Sequence, residues 1–431
     1  MKINDNLLGL DFNHRFEKAV LLADAQYTYS AFNYYGLPAT YQTEPEFDLI
    51  PPSYPDQVNN LLKIHTGIVS HENQKINYRL NVGYTLFKQK YADFINSIGR
   101  TENRILFDAS LSKHINATTC IGMNGAMKIY SHHIPTGKEF VGDGNYVSFS
   151  ANPYITFEGD TWDAHLGVKA DIQFKSSNTK SFIPAPDIRF HWRPVSPILL
   201  YLTAEGGIKD NSNYTIFYEN RYVDPHYRII DSKSPFDGTL GIVFSPVIGL
   251  SIDLFTGYKW VMDEYFYYAY AYGDLFSGQK TLPQENDANL FKAGGVIKYR
   301  YQDLFDLNLK LVYNHWTVTS FEKINMEWNE QGAWNKPVFT GDWNMGLKIP
   351  DFPLRMDLTY HLETGRKALL YGIEAVSMKD IHHVNFATTY TLNKSLSVFA
   401  KANNLLFQKY DFWQGYPAQG FNTMIGVNYK F

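Results

Sequence analysis

The sequence is poor in the features that mark several common protein classes. Its 431 residues include one cysteine, Cys120, which cannot form an internal disulfide or a cysteine metal cluster. No stretch approaches the roughly 18 consecutive apolar residues of a membrane-spanning helix. The formal net charge is −4, and without a basic field the chain is not expected to bind nucleic acid.

The amino terminus lacks a recognisable secretion signal. A signal peptide has an apolar core of about 7 to 15 residues, whereas Leu7-Leu8-Gly9-Leu10 is far shorter. We therefore expect the chain as given to be mature, processed or truncated.

Aromatic residues, by contrast, make up 16% of the chain, and one of them ends it. The last eleven residues alternate with period two, and one face carries Phe421, Thr423, Ile425, Val427, Tyr429 and Phe431. A strand that crosses a bilayer needs about ten residues, apolar toward lipid and free to be polar toward the lumen. Aromatic side chains gather at the membrane interface. The pattern predicts the last strand of an outer-membrane β-barrel.

The same alternation recurs along the chain, at residues 76–86, 162–175, 305–314 and 354–361. Each segment places its charged residues on one face, and so many inward charges need a wide lumen that solvates or pairs them. The predicted lumen charges are Arg189, Arg193, Glu205, Lys259, Lys298, Arg300 and Lys310. They either pair with each other or contact a plug, and the sequence leaves both alternatives open.

The connections between these strands come in two lengths that alternate. Short turns are predicted near residues 15–18, 72–74, 116–117, 159–161, 194–197, 245–249, 302–303, 350–352 and 393–394. The longer segments are predicted to be extracellular loops, notably 36–57, 210–234, 265–287, 322–334 and 408–420.

This pattern predicts one all-β domain over residues 1–431, a transmembrane antiparallel β-barrel with about 19 strands present. The first predicted strand, about Leu7 to His14, leads into a short turn and so runs toward the periplasm. Bacterial barrels have even strand numbers and begin on the periplasmic side. We therefore expect at least one strand to precede this one.

The stretch Asn403-Asn404-Leu405-Leu406-Phe407-Gln408-Lys409-Tyr410, with Gly415-Tyr416-Pro417 and Gly420-Phe421 after it, resembles TonB-dependent receptors of Bacteroidetes outer membranes. A looser likeness to a Bacteroidetes group of TonB-receptor-like barrels continues upstream, in Pro186–Arg189, Leu200–Gly207 and Asn220–Val223. The resemblance implies a barrel of about 22 strands around an amino-terminal plug. The signal peptide, plug, TonB box and about three strands are then expected to lie outside this sequence.

The resemblance also implies a function and a location. The function is uptake of a nutrient too large for general porins, TonB-linked in the complete protein, in the outer membrane of a Gram-negative bacterium. The expected partners are outer-membrane lipid, the barrel-assembly machinery, TonB, and a surface lipoprotein or other outer-membrane subunits. The assembly machinery is expected to recognise Phe421, Ile425, Val427, Tyr429 and Phe431. The alternative is a structural or accessory barrel subunit without transport of its own.

Catalytic and metal chemistry have little support in the sequence. Neighbouring side chains of a strand point to opposite faces, so His132-His133 and His382-His383 are not expected to chelate one ion unless the pair lies in a loop. His132-His133 is predicted to end a strand, which leaves that alternative open for this pair. No serine lies in a Gly-x-Ser-x-Gly nucleophile motif, so no enzyme activity is predicted. No cofactor is predicted either.

Aromatic residues in two extracellular loops are the candidate ligand-binding residues. Their flat rings suit stacking on sugars or large planar ligands. They are Tyr267, Tyr268, Tyr270, Trp413 and Tyr416. The alternative is that these rings form the outer aromatic girdle and pack the loops.

Overall fold

The computed structural model describes residues 3–33, 56–71, 74–92, 97–133, 145–176, 180–224, 229–270, 280–319, 332–370 and 374–430. Twenty-one strands of the described chain form a single sheet, and two short strands form a separate hairpin. Among the described residues, no helix has the length and hydropathy needed to cross a membrane.

The described first half of the chain consists of ten long strands and one short helix. Its strands are β1 Ile3–Arg15, β2 Ala19–Asn33, β3 Asp56–Ser70, β4 Ile76–Ala92, β5 Ser97–His114, β6 Thr119–His133, β7 Tyr146–Glu158, β8 Trp162–Lys175, β9 Lys180–Val195 and β10 Ile198–Lys209. The helix α1, Asn213–Glu219, follows β10. Strands β1 to β8 pair antiparallel, each with the next.

The second half continues the same pattern with two short hairpins inserted. Its strands are β11 Ser232–Phe244, β12 Leu250–Tyr270, β13 Lys280–Tyr301, β14 Phe305–Thr319, β15 Phe339–Lys348, β16 Leu354–Thr364, β17 Lys367–Leu370, β18 Glu374–Ser377, β19 Ile381–Thr391, β20 Leu396–Asn403, β21 Asp411–Trp413, β22 Tyr416–Pro417 and β23 Asn422–Tyr429. The antiparallel pairs include β14–β15–β16–β19–β20–β23 and the hairpins β17–β18 and β21–β22.

Contacts divide the chain into two units, which are described separately. The first unit comprises residues 1–190, 203–237 and 260–287, and the second comprises residues 191–202, 238–259 and 288–431. In both units, the strands present an apolar outer face and a polar inner face. Val168 in the first unit and Leu254 in the second are 60% and 56% exposed on the outer face. Such large exposed apolar side chains are expected where a sheet faces lipid.

Eight of the nine predicted short turns are confirmed, because each lies between two consecutive long strands, and the predicted turn 72–74 lies partly outside the described residues. For example, the Phe16 N–H donates to the Ala19 carbonyl oxygen at 2.8 Å, and the Gly159 N–H donates to Trp162 at 2.7 Å. Leaving out the hairpins β17–β18 and β21–β22, the described residues contain 19 strands, as the alternation predicts.

Two predictions about the opposite connections are wrong. Only four residues separate β4 from β5 and β8 from β9, so long and short connections do not alternate throughout. The predicted loop 265–287 is largely strand, because β12 continues to Tyr270 and β13 begins at Lys280. The predicted loops 36–57 and 322–334 lie mostly outside the described residues.

The orientation of the barrel can be tested by cysteine labelling. Asn393 lies in a tight turn between β19 and β20, whereas Phe412, 55% exposed, lies in the connection at the other end of β20. In a Cys120→Ser background, we expect a membrane-impermeant maleimide to label Phe412→Cys in intact cells. Asn393→Cys is expected to react only after the outer membrane is permeabilised. The reverse labelling pattern would invert the proposed orientation.

Candidate functional site

The described part of the connection between β10 and β11, residues 210–224 and 229–231, folds back over the inner face of the first unit, and we call it the inserted segment. Its helix α1 begins at a capping box, in which the Ser212 hydroxyl accepts from the Thr215 N–H at 3.1 Å. In return, the Thr215 hydroxyl oxygen accepts from the Ser212 N–H at 2.8 Å. Two otherwise unpaired N–H groups are thereby satisfied, so a helix of only two turns can form.

Buried polar groups of strand β5 hold the first residue of α1. Arg100 donates to the Asn213 side-chain oxygen at 3.0 Å, and the Asn213 N–H donates to the Glu102 carboxylate at 2.8 Å. The Tyr130 hydroxyl donates to the same carboxylate at 3.2 Å. Arg100, Glu102 and Asn213 are each less than 5% exposed. Buried charged groups of this kind are costly to leave unpaired, so the contacts fix the segment.

Aromatic rings pack the same helix against β2 and β4. The Phe217 ring lies 5.7 Å from Phe32 and 5.7 Å from Phe87, centroid to centroid. Phe32 and Phe87 are almost fully buried, at 1% and 2% exposure. Tyr214 contacts Phe87 at 6.0 Å and accepts a hydrogen bond from Lys63. Such ring pairs add packing energy beyond the area that they bury.

Ion pairs fix both ends of the inserted segment. Asp210 binds Lys128 and lies 3.7 Å from Arg104. At the other end, Asp231 accepts from Gln173 at 2.7 Å and lies 3.4 Å from Lys175. Burial raises the pKa of the Asp231 carboxyl, and Lys175 and the Gln173 hydrogen bond oppose that rise.

Residues of β12 and β13 hold the remaining side of the inserted segment. The Tyr267 hydroxyl donates to Glu219 at 3.1 Å, and the Ile230 N–H donates to the Tyr265 hydroxyl oxygen at 2.6 Å. Asn220 donates to the Thr281 hydroxyl at 2.7 Å. The inserted segment therefore contacts strands on several sides of the first unit.

These contacts correct part of the aromatic prediction. Tyr267 of β12 is fully buried, so no face of its ring is free to stack on a ligand, and the ring packs against the inserted segment. Tyr268 is half-buried, and the side chain of Tyr270 lies outside the described residues.

The predicted aromatic residues of the last loop are also partly buried. Tyr416 is fully buried and pairs with Trp413, which is half-buried, in the hairpin β21–β22. Tyr416 is therefore a packing residue rather than a ligand contact, which corrects that prediction too. Among the predicted aromatic residues whose side chains are described, Trp413 and Tyr268 are the half-buried ones.

Arg366 anchors this hairpin to the end of β16. Its guanidinium donates to the carbonyl oxygens of Phe412 at 3.1 Å and Asp411 at 3.0 Å. It also donates to the Lys379 carbonyl at 3.1 Å and lies 3.4 Å from the Glu363 carboxylate. Burial lowers the pKa of Arg366, and Glu363 opposes that effect. Burial raises the pKa of Asp411, which accepts from the Gly415 N–H.

Arg366→Lys is expected to loosen the hairpin while preserving the charge. An ammonium cannot reproduce the planar fork that spans the three carbonyls and Glu363. Losing one charged hydrogen bond costs about 1.5–3 kcal/mol, so tryptic cleavage after Lys409 in intact cells should accelerate by roughly tenfold or more. The exposed Arg15→Lys is the matched control. Unchanged cleavage in Arg366→Lys would show that other contacts hold the hairpin.

The predicted lumen charges fall into different surroundings. Arg189 lies 3.4 Å from Asp187, which also accepts from Asn152 at 2.6 Å and contacts His165 at 3.0 Å. Lys259 is half-buried, whereas Arg193, Glu205 and Arg300 are exposed. The predicted lumen charges therefore do not form a single cluster in the structure.

Lys298 and Lys310 do come together, in a recess of about 530 Å³ on the inner face of the second unit. We call this the lysine recess. The side chains that line it include Tyr201, Asp253, Phe255, Lys292, Lys298 and Lys310. The Tyr201 hydroxyl donates to Asp253 at 2.9 Å.

Of the predicted assembly residues, Ile425, Val427 and Tyr429 lie on β23, which pairs with β20, and Phe421 directly precedes that strand. Phe421, Ile425, Val427 and Tyr429 are all exposed, between 43% and 80%, and Phe431 lies outside the described residues.

The two neighbouring histidines of β19 each contact a tyrosine. His382 contacts the Tyr360 hydroxyl at 2.8 Å, and His383 contacts the Tyr410 hydroxyl at 2.7 Å. Within the described residues, no group of three metal-ligating side chains occurs.

Comparisons with known proteins agree with this architecture. No protein-family model and no curated protein matches the sequence. Among solved structures, the ferric enterobactin receptor PfeA of Pseudomonas aeruginosa is 12% identical, with a TM-score of 0.70 over 100% of this chain and 70% of that chain. The siderophore receptor PirA from Acinetobacter baumannii is 11% identical, with a TM-score of 0.71 over 100% of this chain and 71% of that one.

The FrpB iron transporter from Neisseria meningitidis is 9% identical, with a TM-score of 0.71 over 100% of this chain and 73% of that chain. At these identities, the likeness is one of fold. The chain has the fold of a transmembrane antiparallel β-barrel, and this fold is that of TonB-dependent receptor barrels. Such barrels reside in the outer membrane of Gram-negative bacteria.

Proposed function

We propose that this chain is the barrel of an outer-membrane receptor that takes up a nutrient too large for general porins, linked to TonB in the complete protein. The inserted segment is the observation that carries the proposal. A general porin needs an open aqueous path, whereas here buried polar and aromatic contacts hold a folded segment over the inner face. A receptor, by contrast, needs a covered path that opens when cargo is bound.

The structural neighbours support the same class of function. Their names describe receptors or transporters for ferric enterobactin, siderophores and iron. For this chain we propose only the general class, a solute larger than a porin admits, with TonB and a surface lipoprotein as partners. Tyr268 of β12 and Trp413 of β21, both half-buried, are the proposed aromatic ligand contacts.

Energy-dependent uptake tests this proposal. The complete protein, expressed in cells that lack other large-solute receptors, should accumulate labelled solutes above the porin size limit. A protonophore should abolish the accumulation, because TonB-linked transport draws on the inner-membrane proton gradient. Accumulation that persists with the protonophore would indicate passive diffusion. That result would overturn the TonB link.

A second candidate function is a structural or accessory barrel whose lumen is permanently filled. The close aromatic packing of Phe32, Phe87 and Phe217 favours it, because such a cluster resists displacement. In this case no solute should accumulate in the uptake assay. Native mass spectrometry of membrane-extracted protein should then show a stable complex with other outer-membrane subunits.

We also propose that β23 carries the signal for the barrel-assembly machinery. Tyr429 is 62% exposed and is the last described aromatic residue of the chain. Replacing Tyr429 and Phe431 by serine should sharply reduce insertion into the outer membrane and leave the secreted amount unchanged. The control Asn428→Ser changes a polar residue of the same strand. If the unmodified protein, the Tyr429 and Phe431 double variant and the Asn428→Ser control insert equally, β23 does not carry the assembly signal.

A further inference from the structure

We propose that the lysine recess is a binding site for the carboxylate or phosphate groups of the solute, on the inner wall of the barrel. The inference rests on the proposed uptake function and adds a substrate class to it. The recess lies on strands β10 to β14, within the second unit.

The charge of the recess favours an anion. Three lysines, Lys292, Lys298 and Lys310, line it together with one acid, Asp253, which leaves a net charge of +2. Asp253 already accepts a hydrogen bond from Tyr201 at 2.9 Å. Lys298 and Lys310 have no hydrogen-bond or ion-pair partner among the described residues. Cations confined together in a recess attract and concentrate anions.

Acids of the neighbouring strands are engaged by other side chains. Asp342 of β15 is paired with Lys310 in the register, and its carboxylate contacts His361 at 2.7 Å. Arg355 lies 3.0 Å from Asp306 of β14 and 2.8 Å from Asp357 of β16. The inner face of the second unit thus contains a satisfied ion-pair group and, separately, a cationic recess. This separation leaves the two lysine ammonium groups available to a ligand.

The spacing of the lysines suits a ligand with more than one anionic group. Lys298 lies three residues before the end of β13, and Lys310 lies five residues after the start of β14. Since a strand rises about 3.4 Å per residue, the two positions differ by about 7 Å along the strands. Lys292 lies six residues from Lys298 on β13, about 20 Å away along the strand.

Three glycines give the recess its shape. A Cβ atom on Gly241 would lie 2.3 Å from the Tyr201 ring, and one on Gly294 would lie 2.7 Å from the Phe255 ring. A Cβ on Gly257 would lie 2.4 Å from Cε of Lys292. All three distances are too short for a side chain, so glycine at these positions lets the rings and the lysine stem lie flat on the sheet.

The recess therefore combines anion-binding and apolar surface. The Phe255 ring lines the recess together with the lysines, and the Tyr201 hydroxyl donates to Asp253. A solute with two or more carboxylate or phosphate groups on a compact carbon skeleton matches these features. Such a site would hold the solute part of the way along the inner wall.

Calorimetric titration of the complete, detergent-extracted protein with citrate and with inorganic phosphate tests the site. Citrate should bind more tightly than phosphate, because it can reach two lysines at once. The double variant Lys298→Gln/Lys310→Gln should weaken citrate binding by roughly tenfold to a hundredfold. Lys310→Arg, which keeps the charge, should retain most of the affinity.

The matched control is Lys401→Gln, which removes a lysine of β20 that does not line the recess. It should bind citrate as the unmodified protein does. An equal loss in Lys401→Gln would show that citrate responds only to overall charge, and an unaltered double variant would exclude the recess. Heat-dependent gel mobility should confirm that every variant is folded. If citrate binds as expected but no solute accumulates in the uptake assay, only the proposed transport function is contradicted. If solute accumulates but citrate binding does not depend on the recess lysines, only the proposed anion site is contradicted.

Discussion

Replacing Arg100 and Glu102 by alanine should release the inserted segment and raise the ion conductance of the barrel in planar bilayers. The two side chains hold Asn213 at 3.0 and 2.8 Å, within a buried cluster. Leaving each buried partner unsatisfied costs about 1–3 kcal/mol. A shift of that size raises the population with a displaced segment by roughly tenfold or more.

The matched control replaces Arg79 and Glu158, an arginine and a glutamate that are exposed on β4 and β7, by alanine. It carries the same charge changes away from the inserted segment and should keep the original conductance. If both double variants conduct equally, Arg100 and Glu102 do not hold the segment closed. Phe217→Ala offers an independent route to the same release, because it removes the aromatic contacts to Phe32 and Phe87 without altering charge.

Most of the strands could be predicted from the sequence, because lipid and lumen impose opposite chemistry on alternate residues. In β8, for example, Val168 is exposed on the outer face while Asp171 is buried and accepts from the Ile208 N–H at 2.7 Å. The hairpins could be predicted as well, because turn-forming residues near Arg15 and Gly159 act on the backbone next to them. Both signals depend on residues that are close together in the chain.

The inserted segment could not be predicted, because its contacts join distant positions. Arg100 and Asn213 are separated by 113 residues, and Lys63 and Tyr214 by 151. Only the Ser212-x-x-Thr215 capping box gave a local signal of the helix. The burial of Tyr267 follows from the same long-range packing, which local sequence does not reveal. The aromatic composition of its segment therefore suggested a ring that binds a ligand.

The lysine recess was partly predictable. Lys310 belongs to the alternating segment 305–314, Lys298 was also predicted as a lumen charge, and both line the recess. The roles of Gly241, Gly257 and Gly294 depend on side chains of neighbouring strands, so no single segment of the sequence reveals them. Arg366 was missed for a similar reason, since its carbonyl partners lie up to 46 residues away.

Arginine on the outer face should severely destabilise the barrel. Val168 is 60% exposed on β8, and Leu309 lies on the corresponding face of β14. Near the bilayer midplane, Val168→Arg and Leu309→Arg should each cost about 2–4 kcal/mol, because lipid cannot solvate the guanidinium. Denaturant titration of the protein folded into lipid vesicles would measure the loss.

The controls for this experiment lie on the inner face of the same hairpin. Asn308 and Lys310 are exposed next to Leu309, so Asn308→Arg and Lys310→Arg should alter the free energy of unfolding by less than about 1 kcal/mol. Because Asn308, Leu309 and Lys310 are consecutive, their backbone is the same, and a difference in cost between the variants reports whether each side chain faces lipid or the lumen. Equal costs on both faces would mean that the inner face is packed as tightly as a protein core, and a solvated lumen would then be ruled out for this part of the barrel.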